Sequence, residues 1–347
     1  MLVVLGGSSP WTVDLVERLE PDRVLLVGQN HGLLVALRRF LRARSGSRVE
    51  FSTNPELALR RASVVLCQVR VGGWAGRRAD EATPPLWGGY GDETLGIGGL
   101  RAALRASRLL AKWARAAGNT PVVMLSNPTD LLTRWWRLHS GGPALSVCEA
   151  PTELLMGLPP STRYFGVNHL GWALTPDGQR VPTRWMPAAD VSRTAQAQRA
   201  RACQRADELS DLSAALERAI VGGDHDRFDA LIHRRSLTWY ELVVVPVLRA
   251  LLRNARFSGV IGLPNEGRLP SLAPDVILES LSTVSTPAAP PAELVEDVAA
   301  LAESRQRAWE VLLEPTPKRL ARFTEGDPFS AGARYPPDLF SWMTGHD

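Results

Sequence analysis

The sequence predicts an α/β fold, a doubly wound parallel sheet over residues 1–145 followed by a mixed α+β region over 146–347. Three observations carry this. Short, wholly apolar runs alternate with stretches of helical spacing through the first half, as a parallel sheet covered on both faces requires. A glycine turn joins the first apolar run to the first helical stretch. The alternation then breaks down after about residue 150.

In order, Leu2 to Leu5 reads as a buried strand, Gly6-Gly7-Ser8-Ser9 as a turn, and Thr12 to Leu19 as a helix. Arg23 to Val27 is a second strand and Leu33 to Arg44 a second helix. Val49 to Phe51, Val64 to Gln68 and Pro121 to Leu125 are further strands, separated by helices at Pro55 to Ala62 and Leu100 to Ala117. Beyond them, Tyr164 to Val167, Trp172 to Leu174 and Ser258 to Ile261 read as strands. Ala188 to Ala219, Leu237 to Asn254 and Ala292 to Leu313 read as helices, with a loop at Ser282 to Pro291. The last thirty residues show no clear periodicity.

Composition narrows the function classes. The net charge of +4 comes from arginines spread along helices, without the aromatic interleaving of a nucleic-acid surface. Three cysteines, Cys67, Cys148 and Cys203, argue against a disulfide framework and for a reducing compartment. The opening Met1-Leu2-Val3-Val4-Leu5 is too short for a signal peptide, and no apolar run has the length of a membrane span. A cytoplasmic protein is expected, a homo-oligomer with a small-molecule partner and with neither nucleic acid nor membrane. Eleven Trp against four Tyr suits ligand pockets as well as cores.

The turn Gly6-Gly7-Ser8-Ser9 has the placement of a Rossmann-type dinucleotide site, where glycine lets the backbone approach a pyrophosphate and the helix N-terminus faces it. Ser8 stands where a third glycine belongs, and Val27-Gly28-Gln29-Asn30 lacks the acid that usually holds the adenosine ribose. Weak NAD binding with little discrimination against NADP is therefore expected, and a tight turn without ligand remains open. Cys148 and His169 are a soft and a borderline metal ligand, each in a short loop after a strand. From the residues alone, the preferred reading is Cys148 as a buried small apolar side chain and His169 as a hydrogen-bonded loop residue.

Two glycine-rich segments, Arg70-Val71-Gly72-Gly73 through Asp80-Glu81 and Gly91-Asp92-Glu93-Thr94 through Arg105, resemble the motifs of glycoside hydrolase family 4, R-V-G-G-x-x-A-R-x-x-D-E and G-Q-E-T-x-G-x-G-G-x-x-x-A-L-R. Further likenesses follow in the family's order: Ser126-Asn127-Pro128, Val147-Cys148-Glu149-Ala150-Pro151, Gly166-Val167-Asn168-His169, Arg235 through Tyr240, and Leu263-Pro264-Asn265-Glu266-Gly267.

The resemblance implies an NAD- and metal-dependent glycosidase, outside the two-carboxylate mechanism of most glycosidases. It implies oxidation at C3 of the sugar, proton removal at C2, elimination at C1, then hydration and reduction. It assigns manganese or a similar ion to Cys148 and His169, and the C2 base to Tyr240, so that all three are catalytic. NAD falls to Gly6, Gly7, Ser8, Ser9 and Asn127. Substrate contacts fall to Arg77, Glu93, Asn127, Glu149, Asn168 and Arg235, with Arg77 directed at a sugar 6-phosphate. Arg77 read alone is a surface arginine beside Arg78, and Tyr240 alone is structural.

Departures mark a divergent member. Glu149 replaces the family's Asn after the Cys, Ser8 replaces a glycine, and the ribose acid is missing. Two other readings stay open: a sugar or cyclitol oxidoreductase or epimerase that expels nothing, and a non-catalytic sugar- or nucleotide-binding relative.

Overall fold

The computed structural model describes residues 1–186, 191–235 and 238–345, apart from the side chains of 191–204. Ala188, Ser236, Leu237 and the side chain of Cys203, all parts of expectations above, lie outside the described residues.

Eleven strands form one sheet. They are β1 (Leu2–Leu5), β2 (Arg23–Val27), β3 (Arg48–Ser52), β4 (Val64–Cys67), β5 (Val122–Met124), β6 (Ala144–Ser146), β7 (Arg163–Val167), β8 (Leu170–Leu174), β9 (Arg180–Pro182), β10 (Gly259–Pro264) and β11 (Ile277–Ser282). Their spatial order is β3-β2-β1-β4-β5-β6-β10-β11-β7-β8-β9. The first six run parallel, and every pairing from β6–β10 onward is antiparallel. The boundary expected after residue 145 falls inside β6, and the sheet continues through it.

Helices cover the parallel half on both faces. They are α1 (Thr12–Leu19), α2 (His31–Arg44), α3 (Pro55–Leu59), α4 (Gly73–Ala82), α5 (Gly96–Ala117), α6 (Thr129–Ser140), α7 (Ala150–Met156), α8 (Val191–Gly222), α9 (His225–Ile232), α10 (Val245–Arg253), α11 (Val295–Leu313), α12 (Pro317–Gly326) and α13 (Leu339–Thr344). Alternation within each apolar strand feeds two cores. Leu2, Val4, Val24, Leu26, Val64 and Leu66 pack with α1, α2, α9 and α10. Val3, Leu5, Leu25, Val27, Val65 and Cys67 pack with α5, α6 and α11. That two-sided burial is why these strands contain almost no polar residue. A third core joins Phe165, Leu174 and Leu278 of the antiparallel half to Leu294, Val298 and Ala302.

Within the helix expected from Leu237, Thr238 and Trp239 are helical, Tyr240–Val244 form a π turn, and α10 follows. Pro246 explains it. Proline has no N–H, and in an α-helix its ring meets the carbonyl four residues back. The chain widens to a bond from Val245 N–H to Tyr240 O, five residues apart, and Tyr240 starts the widened turn.

The apparently aperiodic tail holds α12 and α13, which bury Leu320, Phe323, Leu339 and Met343 in the second core. Prolines and glycines cut these helices below the length at which periodicity is readable. No helix among the described residues is long and apolar enough to cross a membrane.

Candidate active site

The parallel strands follow the order 3-2-1-4-5-6, which reverses direction between β1 and β4. Ligands of such sheets bind outside the carboxyl ends of the strands at that switch point. The candidates gather along this edge. Gly6 to Ser9 follow β1, Gln68 to Gly72 follow β4, Asn127 follows β5, and Cys148 and Glu149 follow β6.

Gly6 has φ +82°, and a Cβ there would lie 2.8 Å from Gln68 O. A Cβ on Gly7 would lie 2.8 Å from Val27 N. Chain packing at the head of the sheet thus requires both glycines. Ser8 leans over β2, where a Cβ on Gly28 would come within 2.5 Å of its Oγ. No side chain caps α1; its first amides are taken by the turn itself, Thr12 N–H by Ser9 O at 3.1 Å and Val13 N–H by Pro10 O at 3.3 Å. This tight glycine turn stands at the switch point, where sheets of this order take a dinucleotide pyrophosphate. Beyond β2, Asn30 Oδ1 accepts Leu33 N–H at 3.0 Å and caps α2. Gln29 is exposed, so it alone of the two is free toward a ribose.

The two glycine-rich segments interlock. Asp80 in α4 takes Arg105 Nη1 at 3.1 Å, and Arg105 Nε donates to Val71 O at 2.8 Å. A Cβ on Gly72 would lie 2.7 Å from Arg105 Nε. A Cβ on Gly98 would lie 2.2 Å from Asp80 O. Much of the double motif is therefore a clamp that seats α4 on α5.

The clamp presents charge. Arg77 Nε donates to Glu81 Oε1 at 2.7 Å, and its Nη1 lies 3.1 Å from Glu93 Oε1. Arg70 pairs with the other Glu93 oxygen. Both guanidiniums stand over Trp74, at 5.1 and 5.9 Å from the ring. The Arg77 side chain is 13% exposed, so it is no surface arginine. The Arg70 side chain is 33% exposed, and its partial burial and the neighbouring Arg77 and Arg235 charges lower its pKa. Arg235 is brought down to about 10 by burial and by Arg77, and its Nε is buried without a partner. It stacks at 4.9 Å on Trp11 and 4.4 Å on Trp239. A cavity of about 200 Å³ opens beside it, lined also by Asp14, Arg18, His233, Thr238 and Glu241.

Asn168 and His169 form the two-residue turn of the β7–β8 hairpin, with Val167 paired to Leu170. Their φ values are +46° and +72°, as a type I′ turn needs. Asn168 Nδ2 donates to Thr94 O at 3.2 Å, which ties the turn to the Glu93 segment. The Asn168 Oδ1 and His169 Nδ1 atoms are buried without partners. Burial holds the imidazole near 4, so it is neutral at ordinary pH. Cys148 Sγ accepts Ala150 N–H at 3.3 Å and lies 4.0 Å from Glu149 Oε2. Burial, Glu149 and Glu279 push its thiol well above the usual value, and burial raises the Glu149 carboxyl.

Cys148 and His169 are related through shared neighbours. The fields of Glu279 and Arg184 act on Cys148, that of Arg184 acts on His169, and the His169 amide bonds to Glu279. Among the described residues no three His, Cys, Asp or Glu side chains are placed to hold a metal ion. A neutral imidazole with a free nitrogen is a ligand type for a divalent cation, and the Cys148 thiol could join it only by losing its proton to the bound cation.

Tyr240 is 2% exposed and donates to Gln68 Oε1 at 2.7 Å. Gln68 Nε2 in turn reaches Thr12 Oγ1 at 3.1 Å and Gly6 O at 3.5 Å. Burial raises the phenol well above its usual value, and Arg235 acts against that rise. Arg235 also feels Glu149, so it links Tyr240 to the Cys148 loop. Asn127 is half-buried at the β5 end.

Sequence reasoning missed Gln68, Arg70 and Glu279. Gln68 and Arg70 stood inside segments that were read for other residues. Glu279 is a lone acid in the apolar run Val276-Ile277-Leu278, and that was its signal.

Residues 26–159 match the model of the family 4 glycosyl hydrolases. The chain is 28% identical over 195 residues to a 6-phospho-beta-glucosidase of Thermotoga maritima, covering 49% of this chain and 46% of that one. It is 33% identical over 200 residues to a 6-phospho-alpha-glucosidase of Lacticaseibacillus paracasei, covering 49% and 45%. The chain thus spans about half the length of these sequence relatives. The fold is similar to a Thermotoga maritima 6-phospho-beta glucosidase solved with manganese, NAD+ and glucose-6-phosphate, with a TM-score of 0.84 at 18% identity, over 99% of this chain and 97% of that one.

Proposed function

We propose that the chain is a divergent member of the family 4 glycosyl hydrolases, whose model matches residues 26–159, and that it is an NAD- and divalent-metal-dependent glycosidase. Its substrate on this reading is a sugar bearing an anionic group, phosphate above all. One observation carries the reading: the Tyr240 hydroxyl is tied through Gln68 to the glycine turn. A candidate base and a candidate cofactor cradle therefore share one hydrogen-bonded unit. The solved neighbour that holds manganese, NAD+ and glucose-6-phosphate supports the choice of ligands.

A bound dinucleotide would accept and return the electron pair at C3, and a bound cation would draw electron density from the sugar oxygens. This chain's residues do the rest. Gly6, Gly7, Ser8 and Ser9 seat the pyrophosphate. Cys148 and His169 hold the cation. Tyr240 takes the C2 proton through its hydroxyl oxygen, with the Arg235 guanidinium favouring the phenolate. Trp11 and Trp239 sandwich Arg235 and limit water around it. Arg70, Arg77 and Arg235 offer guanidinium donors to an anion on this wall, among the acids Glu81, Glu93, Asp92 and Glu149.

The test is release of 4-nitrophenol from nitrophenyl glucosides, with and without a 6-phosphate, as NAD and Mn(II) are each supplied or withheld. The expected result is release that needs both additions and favours the phosphorylated substrate. Release that is indifferent to both would remove the proposal. Oxidation of the sugar without loss of nitrophenol would favour the oxidoreductase.

A further inference from the structure

Glu279 lies at the centre of β11, buried among apolar neighbours, and none of the roles above uses it. Its cross-strand partners on the two sides are Gly262 of β10 and Gly166 of β7, and Gly166 pairs in turn with Gly171 of β8. Side chains at paired positions share a face of the sheet. A row of three glycines thus clears a lane across the face on which Glu279 lies. The Tyr164 hydroxyl enters the same lane, and a Cβ on Gly166 would lie 2.5 Å from it. Tyr164 donates to Glu279 Oε2 at 3.3 Å. The carboxylate ends at the hairpin turn, where its two oxygens take the His169 N–H at 3.3 and 3.2 Å. The opposite side of the same residue is held too. Thr183 Oγ1 donates to His169 O at 2.6 Å.

A buried carboxylate in an apolar strand needs a reason. Here it meets the one residue of the turn that is both a candidate ligand and at φ +72°, a value uncommon for histidine. Both backbone groups of His169 are fastened by side chains from other strands or loops, while its imidazole Nδ1 is left unpartnered. Resting on the metal reading of Cys148 and His169, we propose that Glu279 is the positioning residue of this site. With Thr183 it fixes the peptide that carries the His169 imidazole, and so sets the affinity for the divalent cation.

Co(II) titration of the full chain tests this. It reads affinity together with the ligand-field absorption that reports coordination geometry. Glu279→Ala should weaken Co(II) about 10- to 100-fold and alter the ligand-field bands. Glu279→Gln keeps an acceptor for the His169 amide and should restore most of the affinity. Thr183→Val frees only the carbonyl side, and it should weaken binding less than Glu279→Ala. It also serves as the test if Glu279→Ala does not fold.

Native affinity and native bands in folded Glu279→Ala, or in Thr183→Val, overturn the proposal. A Gln variant no better than the Ala variant does so as well, because charge rather than position would then be the role. Failure of the unaltered chain to bind Co(II) overturns the metal reading and this inference with it. Normal binding by the unaltered chain and its variants alike overturns this inference alone.

Discussion

The Tyr240 hydroxyl donates to Gln68 Oε1 at 2.7 Å, and the other end of the same amide reaches Thr12 Oγ1 at 3.1 Å. One side chain at the end of β4 thus spans from the first residue of α1 to the π turn before α10. Gln68→Leu strands the Tyr240 hydroxyl in the core. A buried donor without an acceptor costs about 1–3 kcal/mol, which denaturant unfolding should record. NAD affinity should fall in the same variant, since the glycine turn loses its brace. Unchanged stability together with unchanged NAD affinity would mean that Gln68 joins nothing.

The ribose end of the cradle lacks an acid, and Asn30 is taken by its helix cap. Gln29→Asp places a carboxylate at the exposed end of β2 without disturbing that cap. It should tighten NAD by about tenfold and NADP not at all, because a carboxylate suits ribose hydroxyls and repels a 2′-phosphate. Calorimetry with both cofactors decides. Equal tightening of the two contradicts the proposed orientation of the dinucleotide.

Arg105 and Gly72 act on one contact. Arg105→Leu leaves the Asp80 carboxylate buried with Arg101 as its remaining partner, at 3.4 Å, and should cost about 3 kcal/mol. Gly72→Ala must accept φ +86° and push Arg105 aside, at about 1–3 kcal/mol. Because both break the same clamp, the double variant should lose clearly less than the sum. Additive losses would separate the two residues.

Asp327 gives a pH signature of its own. Burial lifts its carboxyl from 3.8 to about 6, against the pull of Ser330 and Arg305. Between those values the folded chain binds more protons than the unfolded one, so this group's contribution falls as pH rises, by up to about 3 kcal/mol. Asp327→Asn carries no such charge. Its stability relative to the unaltered chain should therefore improve between pH 4 and pH 7. A gap that stays constant with pH would show that the carboxyl titrates normally in place.

The parallel half was legible because each strand is apolar on both faces and each turn carries its own residues. Gly6 and Gly7 announce the turn after β1, and Asn30 and Asn54 cap the helices that follow β2 and β3. Cys148, His169 and Tyr240 were legible through motif order, and they fall where elements end. Other features depend on contacts distant in sequence. Glu279 acquires meaning only beside Gly166 and His169, more than a hundred residues earlier. The π turn hinges on Pro246, inside a run whose apolar spacing otherwise reads as plain helix. Arg77 reads as exposed in the sequence because Glu93, which joins its i+4 partner Glu81 in holding it, comes from a different segment.

Proton removal at C2 by Tyr240 is the centre of the account, and deuterium incorporation tests it directly. A phosphorylated glycoside turned over in heavy water with NAD and Mn(II) should gain deuterium at C2, because the proton taken by Tyr240 exchanges with solvent before the product is released. Tyr240→Phe keeps the ring in its pocket and should bind NAD and Mn(II) normally while incorporation stops. Incorporation at C2 that is undiminished in Tyr240→Phe, or absent from the unaltered enzyme during turnover, would contradict the account.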